Sequence, residues 1–213
     1  MNSPKLLIFD LDGTLIDSRP DISHALNSVL AKRGLPQADD RRIAPYIGTG
    51  VRALLAEIAI ANGQTDVDAL FSEFDEIYAQ VLLKDTKLYP GILDVLEGFD
   101  STPKVVLSNK YQRFIEPILV GLGIAHFFVD SYGRDAFAKM KPDPLPVLLA
   151  CKRCGVEPKD TLVIGDTATD IRAAKAAQAR SCAVLYGYGD INELRALKPE
   201  FLIDHAKQLF TLF

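Results

Sequence analysis

Five short apolar runs, each continuous rather than alternating, restrict what this chain can fold into: Leu6–Asp10, Lys104–Ser108, Phe127–Asp130, Thr161–Gly165 and Ser181–Leu185. A strand with one face in water alternates apolar and polar residues, because successive side chains point to opposite faces. Short runs without that alternation belong to strands covered on both faces, and the helical or loop-like stretches between them supply the covering layers. The expected fold class is therefore α/β: a doubly wound parallel sheet, a Rossmann-like core. Phe201–Ile203 is a candidate edge strand before a short last helix.

The first two runs lie too far apart for a single crossover. Between them Pro20–Arg33, Val51–Ala61 and Asp66–Leu83 read as helices; in the second, Val51, Leu54, Leu55 and Ile58 recur at helical spacing. Gly34 and Pro36 end the first helix, Asn62-Gly63 the second, and Tyr89-Pro90-Gly91 turns the chain back toward the sheet. We expect a discontinuous α/β core, residues 1–17 and 87–213, carrying an inserted small α-helical cap domain, residues 18–86.

Composition excludes several functions. The 213 residues are 48% hydrophobic and 24% charged, with a formal net charge of −4 and no basic stripe for a nucleic acid. No apolar run is long enough for a membrane span or a signal-peptide core, so no membrane is expected and the reading is cytoplasmic. Cys151 and Cys154 form a CxxC at the end of the apolar helical stretch Pro146–Gly155, with Cys182 far away and no histidine nearby. Structural zinc wants four ligands and redox CxxC pairs begin helices, so we read these as two small residues on one helix.

Ligands of doubly wound sheets bind at the carboxyl ends of the strands. There the sequence places Asp10, Ser108, Asp130 and, just past Gly165, Asp166. Asp10-Leu11-Asp12-Gly13 puts two carboxylates at a spacing of two, with a glycine that lets the chain turn. Ser108-Asn109 offers a hydroxyl and backbone amides, and Gly165-Asp166-Thr167-Ala168-Thr169-Asp170 a second acidic pair at a helix start. Each alone reads as a turn or a helix cap. Converging on one sheet edge, so many carboxylates require a cation, and oxygen ligands at a phosphate site favour Mg²⁺.

Asp10-Leu11-Asp12-Gly13-Thr14-Leu15, Ser108-Asn109, Lys141-Pro142 and Gly165-Asp166-Thr167-(x)2-Asp170 resemble, in order, the four motifs of the haloacid dehalogenase superfamily. The likeness spans almost the whole chain. Within the superfamily it is nearest to the phosphoglycolate-phosphatase-like group, whose C-terminal segments Val184–Gly189 and Pro199–Asp204 resemble, and the helical insertion looks like a type I cap. The resemblance implies a phosphatase in which Asp10 is nucleophile and metal ligand. Asp12 would be the general acid/base and lend its backbone carbonyl to the metal. Asp166 would complete the ligands with Asp170 in support, Ser108, Asn109 and the backbone near Gly13 would hold the phosphoryl oxygens, and Lys141 would tie Asp10 to the phosphoryl group. Dehalogenases of the superfamily lack an aspartate at the Asp12 position, and its sugar-phosphate mutases often carry Glu-Asp where this chain has Gly165-Asp166, so a phosphomonoester is the expected substrate. One departure is Gln178, where relatives often place a turn glycine; a positive φ there costs roughly 1 kcal/mol.

The implied partner is a small phosphate ester, with 2-phosphoglycolate favoured and pyrophosphate, a sugar phosphate or a nucleotide as alternatives; the oligomeric state is not legible. A receiver-type signalling module also pairs a phosphorylated aspartate with a hydroxyl and a lysine, but has no room for the insertion. Ile47-Gly48-Thr49-Gly50-Val51-Arg52 looks like the loop that caps present to the site, and Arg52 is the candidate for a substrate carboxylate.

Overall fold

The apolar runs become the centre of the molecule in the computed structural model, which describes residues 2–48 and 50–213. β1 (Leu6–Phe9) leads to β2 (Ile16–Asp17), followed by α1 (Arg19–Lys32), α2 (Asp40–Ile43), α3 (Val51–Ala61) and α4 (Val67–Val81). The chain returns through β3 (Lys87–Leu88), α5 (Ile92–Gly98), β4 (Lys104–Leu107), α6 (Gln112–Gly121) and β5 (Asp130–Tyr132). It ends with α7 (Leu145–Cys154), β6 (Thr161–Gly165), α8 (Ala168–Ala176), β7 (Arg180–Val184), α9 (Ile191–Ala196), β8 (Phe201–Ile203) and α10 (Leu209–Leu212).

Among the described residues one sheet has six strands in the order β5-β4-β1-β6-β7-β8, every pairing parallel. Its faces follow the two-residue period. Leu7, Phe9, Val106, Leu162 and Ile164 enter one apolar cluster, and Leu6, Ile8, Val105, Leu107 and Val163 the other. Connections run outward from β1 on one side through β4 and β5, then cross back to β6 on the other. The order thus reverses at β1, which places the residue after it in the crevice where such sheets bind ligands. The edge strand expected at Phe201–Ile203 is present as β8. Gln178 has a φ of +58°, the left-handed conformation anticipated for it.

The strand expected at Phe127–Asp130 is displaced. Residues Ala125–Phe127 form a 3-10 turn, and pairing starts only at Asp130, which lies opposite Val105. Phe128 is used for packing, edge-on to Phe9 with ring centroids 6.4 Å apart. Asp130 therefore begins β5 and does not sit at its carboxyl end, where Tyr132 and Gly133 stand.

The helices α1 to α4 fall within residues 18–86 and build on the apolar stripe of α1, which packs along α4. Asp66 starts α4 by accepting the Ala69 amide at 3.0 Å, relieving one unpaired donor of the first turn. The two chain crossings at the base are pinned together. β2 pairs antiparallel with β3, and the buried Asp21 carboxylate accepts the amides of Asp85 and Thr86 and the Thr86 hydroxyl. The rings of Phe71, Phe74, Tyr78 and Phe114 follow one another at centroid spacings of 6.0, 5.6 and 5.1 Å, carrying the core from α4 onto α6. Cys151 packs as a small apolar side chain on α7. Among the described residues no helix is long and apolar enough to cross a membrane.

Candidate active site

Asp10 follows β1 at the reversal of the sheet. Its Oδ1 lies 2.9 Å from Lys141 Nζ, and Lys141 also donates to Asp170 Oδ1 at 2.6 Å and to the Leu107 carbonyl at 2.7 Å. Asp10, Asp166 and Asp170 are buried and bring one oxygen each to within 4.8 Å of the others. Burial pushes the Asp10 carboxyl up to about 6; Lys141 opposes the shift and Asp170 adds to it. Asp166 is raised well above the carboxylate range, by burial first and then by Asp10 and Asp170. Burial works against the Lys141 ammonium, yet Asp10 and Asp170 outweigh it and hold its pKa above the usual lysine value.

With all three carboxylates ionised, one ammonium would leave two negative charges uncompensated in a buried place, and Asp10 Oδ1 has no hydrogen bond of normal geometry. A hard divalent cation with oxygen ligands answers both deficits, so the residues present fit Mg²⁺.

The acidic loop is locked from several sides. Thr14 Oγ1 donates to Asp166 Oδ1 at 3.1 Å, and the Tyr188 amide donates to Asp166 Oδ2 at 2.7 Å. Thr167 gives both its amide and its hydroxyl to Asp170 Oδ2, at 3.0 and 2.6 Å, which also caps α8. Gly13 has a φ of +83°, and a Cβ there would stand 2.1 Å from Asp166 Oδ2, so the turn after the first motif admits no side chain. Tyr188 reaches further. Its hydroxyl donates to Asp17 Oδ1 at 2.8 Å and accepts the amides of Ser18 and Arg19, joining the acidic loop to the first crossing of the chain.

Asp12 turns its carboxylate away from this cluster. Oδ1 accepts the Ser18 hydroxyl at 2.5 Å, and both oxygens lie 3.0 Å from Lys110 Nζ. Lys110 was not singled out from the sequence, although it directly follows Ser108-Asn109. Burial opposes its charge, but Asp12 raises its pKa above the usual lysine value. Burial likewise pushes the Tyr78 phenol up to about 12, partly countered by Lys110. Ser108 is buried past the end of β4, where its hydroxyl accepts the Lys110 amide at 3.2 Å. The side chain of Asn109 donates to the carbonyls of Gly48 and Lys141, at 3.1 and 3.0 Å, and so ties the segment before α3 to the loop before α7.

A cleft between helices α3 and α4 and the loop after β4 is lined by Asp12, Gly48, Arg52, Phe71, Tyr78 and Lys110, among others. Arg52 stands at its rim, half exposed, its guanidinium paired with Asp68 and 6.0 Å from the Phe71 ring centroid. Thr49, within the segment expected to face the site, lies outside the described residues. Asp10, Asp12, Ser108, Asn109, Lys141, Asp166 and Asp170 thus meet at one sheet edge, with Gly13 against Asp166, while Arg52 remains peripheral. Lys110 and Tyr188 join them through hydrogen bonds to Asp12 and Asp166, and Tyr78 through its contact with Lys110.

A family model for haloacid dehalogenase-like hydrolases matches residues 7–184, and the chain belongs to that family. It is 35% identical over 214 residues to phosphoglycolate phosphatase 1 of Pseudomonas aeruginosa, covering 97% of this chain and 78% of that protein. It is 33% identical over 218 residues to the phosphoglycolate phosphatase of Haemophilus influenzae, covering 98% and 97%. Among solved structures, a predicted phosphoglycolate phosphatase from Haemophilus somnus superposes with a TM-score of 0.94 at 29% identity, covering 100% of this chain and 99% of that one.

Proposed function

We propose that this chain is a Mg²⁺-dependent phosphomonoester hydrolase that works through an aspartyl phosphate on Asp10 and takes 2-phosphoglycolate or a similar small anionic ester. The observation that carries this reading is the division of labour between two buried aspartates two residues apart. Asp10 joins the carboxylate cluster and Lys141, whereas Asp12 is held apart by Ser18 and Lys110. This difference supports giving the attack to one carboxylate and the proton transfer to the other. The names of the relatives support the substrate class.

In this scheme an Asp10 oxygen attacks phosphorus while the P–O bond to the leaving alcohol breaks, and Asp12 gives that oxygen its proton. Asp12 then takes a proton from a water that attacks phosphorus, releasing phosphate and restoring the Asp10 carboxylate. Asp10, Asp166 and the Asp12 backbone carbonyl would hold Mg²⁺, with Asp170 in support, and the ion when bound neutralises charge on the transferring group. Lys141 keeps Asp10 oriented, Ser108, the amide of Asn109 and backbone near Gly13 receive phosphoryl oxygens, and Arg52 adds positive potential at the rim. Residues 18–86 act as the cap over a core of 1–17 and 87–213 and exclude water on closing.

The test is Asp10→Asn, which keeps the shape and removes the nucleophile. Turnover of 2-phosphoglycolate should fall on the order of 10⁴-fold or more with the thermal midpoint nearly unchanged. Wild-type activity should vanish in excess EDTA. A folded Asp10→Asn protein that still turns over, or full activity in EDTA, overturns the proposal.

A further inference from the structure

Beyond the carboxylate cluster, the cleft lined by Asp12 holds a second charged centre that the scheme above leaves without a task. Lys110 is 8% exposed, and both its hydrogen bonds go to the Asp12 carboxylate. An ammonium has three N–H donors, so one is left over. Tyr78 stands beside it, its ring centroid 4.7 Å from Nζ and its buried hydroxyl without a hydrogen-bond partner. Both residues line the cleft, together with Ile22, Phe71, Phe74 and Phe114. Buried polar groups without partners are rare in native proteins, and the unpartnered Tyr78 hydroxyl beside the ammonium points to a missing acceptor. Next to an ammonium in a low-dielectric wall, that acceptor is best an anion.

Position identifies which part of a ligand supplies it. Lys110 approaches Asp12 and not Asp10, Asp166 or Asp170, so on the reading above its neighbour is the leaving alcohol and not the phosphoryl group. An ester oxygen hydrogen-bonded to Asp12 lies at most about 6 Å from Nζ, being one hydrogen bond from the carboxylate that Lys110 also contacts. A carboxylate on the adjacent carbon has its oxygens roughly 3 Å from that ester oxygen and spans the gap. A charge at the far end of a sugar or nucleotide does not. Arg52 is the weaker candidate, since its guanidinium is already paired with Asp68 at the rim.

We propose that Lys110 and Tyr78 form the specificity subsite of this protein, binding a carboxylate borne on the carbon next to the scissile ester. The inference rests on the phosphomonoesterase reading, and the two fail separately. A wild type that cleaves no phosphate ester defeats the reading; a wild type that cleaves them without this subsite defeats only the inference.

The experiment compares kcat/KM for 2-phosphoglycolate and for uncharged 2-hydroxyethyl phosphate in wild type, Lys110→Gln and Tyr78→Phe. The wild type should prefer the carboxylate. Lys110→Gln should shrink that preference about 10- to 150-fold, the worth of a hydrogen bond to a charged group. Because Lys110 touches Asp12, both absolute rates fall in that variant, and the ratio is the readout. Tyr78→Phe removes only an unpartnered hydroxyl, so its thermal midpoint should hold or rise while the preference drops several-fold, mostly through KM; it keeps the test decisive if Lys110→Gln does not fold. A wild type indifferent to the carboxylate, or a folded Tyr78→Phe with an unchanged ratio, overturns the proposal.

Discussion

At the carboxyl edge of the sheet the charged groups are buried and each is held by several partners: Lys141 by Asp10, Asp170 and the Leu107 carbonyl, Asp166 by Thr14 and the Tyr188 amide. On the cap side the guanidinium of Arg52 is half exposed and reaches an exposed Asp68. Electrostatic energy per pair is large on the first wall and small on the second, because water screens only the second. The residues to which the proposed function gives the chemistry are fixed, and the rim can change its charges at little cost. Lys110 stands between the two, on the core in sequence but packed against Tyr78 of the cap helix α4.

The contrast breaks most visibly at Lys141. Lys141→Met leaves Asp10 and Asp170 buried without their counter-ion, and should cost about 3–5 kcal/mol of stability in metal-free buffer, as removal of one partner of a buried pair does. Urea unfolding at neutral pH measures it. A loss below about 1 kcal/mol would mean the sheet-side wall is no more rigid than the cap side.

The same wall should also respond to pH. Folding raises Asp10 to about 6 and Asp166 in the same direction, so the folded chain binds more protons than the unfolded chain above pH 4. Without divalent cation, these groups favour folding at low pH and lose that contribution as pH rises through about 6, a change of a few kcal/mol. Mg²⁺ competes with those protons, so the rise in thermal midpoint on adding it should be larger at pH 7.5 than at pH 5. Thermal scans with EDTA and with Mg²⁺ across that range check it, and an equal gain at both pH values would contradict the coupling.

How much of this was legible follows the same division. Asp10, Asp12, Ser108, Lys141, Asp166 and Asp170 stand at strand ends or in the loops beside them, and a parallel sheet brings such positions together whatever the side chains around them do. The partnership of Lys110 with Tyr78 joins a loop after β4 to the middle of a cap helix, and no local periodicity encodes it; Tyr78 reads simply as part of the apolar stripe of α4. The misplacement of β5 has a similar cause. Phe127-Phe128-Val129 has the composition of a strand, but Phe128 packs against Phe9 and the pairing falls on the more polar Asp130-Ser131. Apolar composition does not fix pairing, since Val129 is left exposed, and a short edge strand is set by its neighbour's register.

Asn109 bridges the two walls and should give an intermediate effect. Its amide nitrogen holds the Gly48 carbonyl on the cap and the Lys141 carbonyl on the core. Asn109→Ala removes both bonds and should cost about 1–2 kcal/mol. For a chain of this size that lowers the midpoint by roughly 2–8 °C. If the bridge also helps the cap close, kcat/KM falls about tenfold while the Mg²⁺ concentration giving half-maximal rate stays put, because no carboxylate of the cluster is touched. A shift in that concentration would place Asn109 with the sheet-side wall instead.

The smallest effect belongs to Arg52. Its ion pair with Asp68 is solvent-exposed, and exposed pairs are worth at most about 1 kcal/mol. Arg52→Ala should therefore leave stability within about 0.5 kcal/mol of wild type. As a rim charge it still contributes positive potential over the cleft mouth, so kcat/KM for 2-phosphoglycolate should fall by roughly fivefold at most, and less as salt is raised. Uncharged 2-hydroxyethyl phosphate should show no such salt-dependent loss. The comparison with Lys110→Gln carries the weight: the buried ammonium should matter far more than the exposed guanidinium, although both bear one charge. If Arg52→Ala abolishes the carboxylate preference at high salt, then Arg52 leaves Asp68 to contact the substrate directly, and the cap wall supplies specificity by moving rather than by its resting geometry.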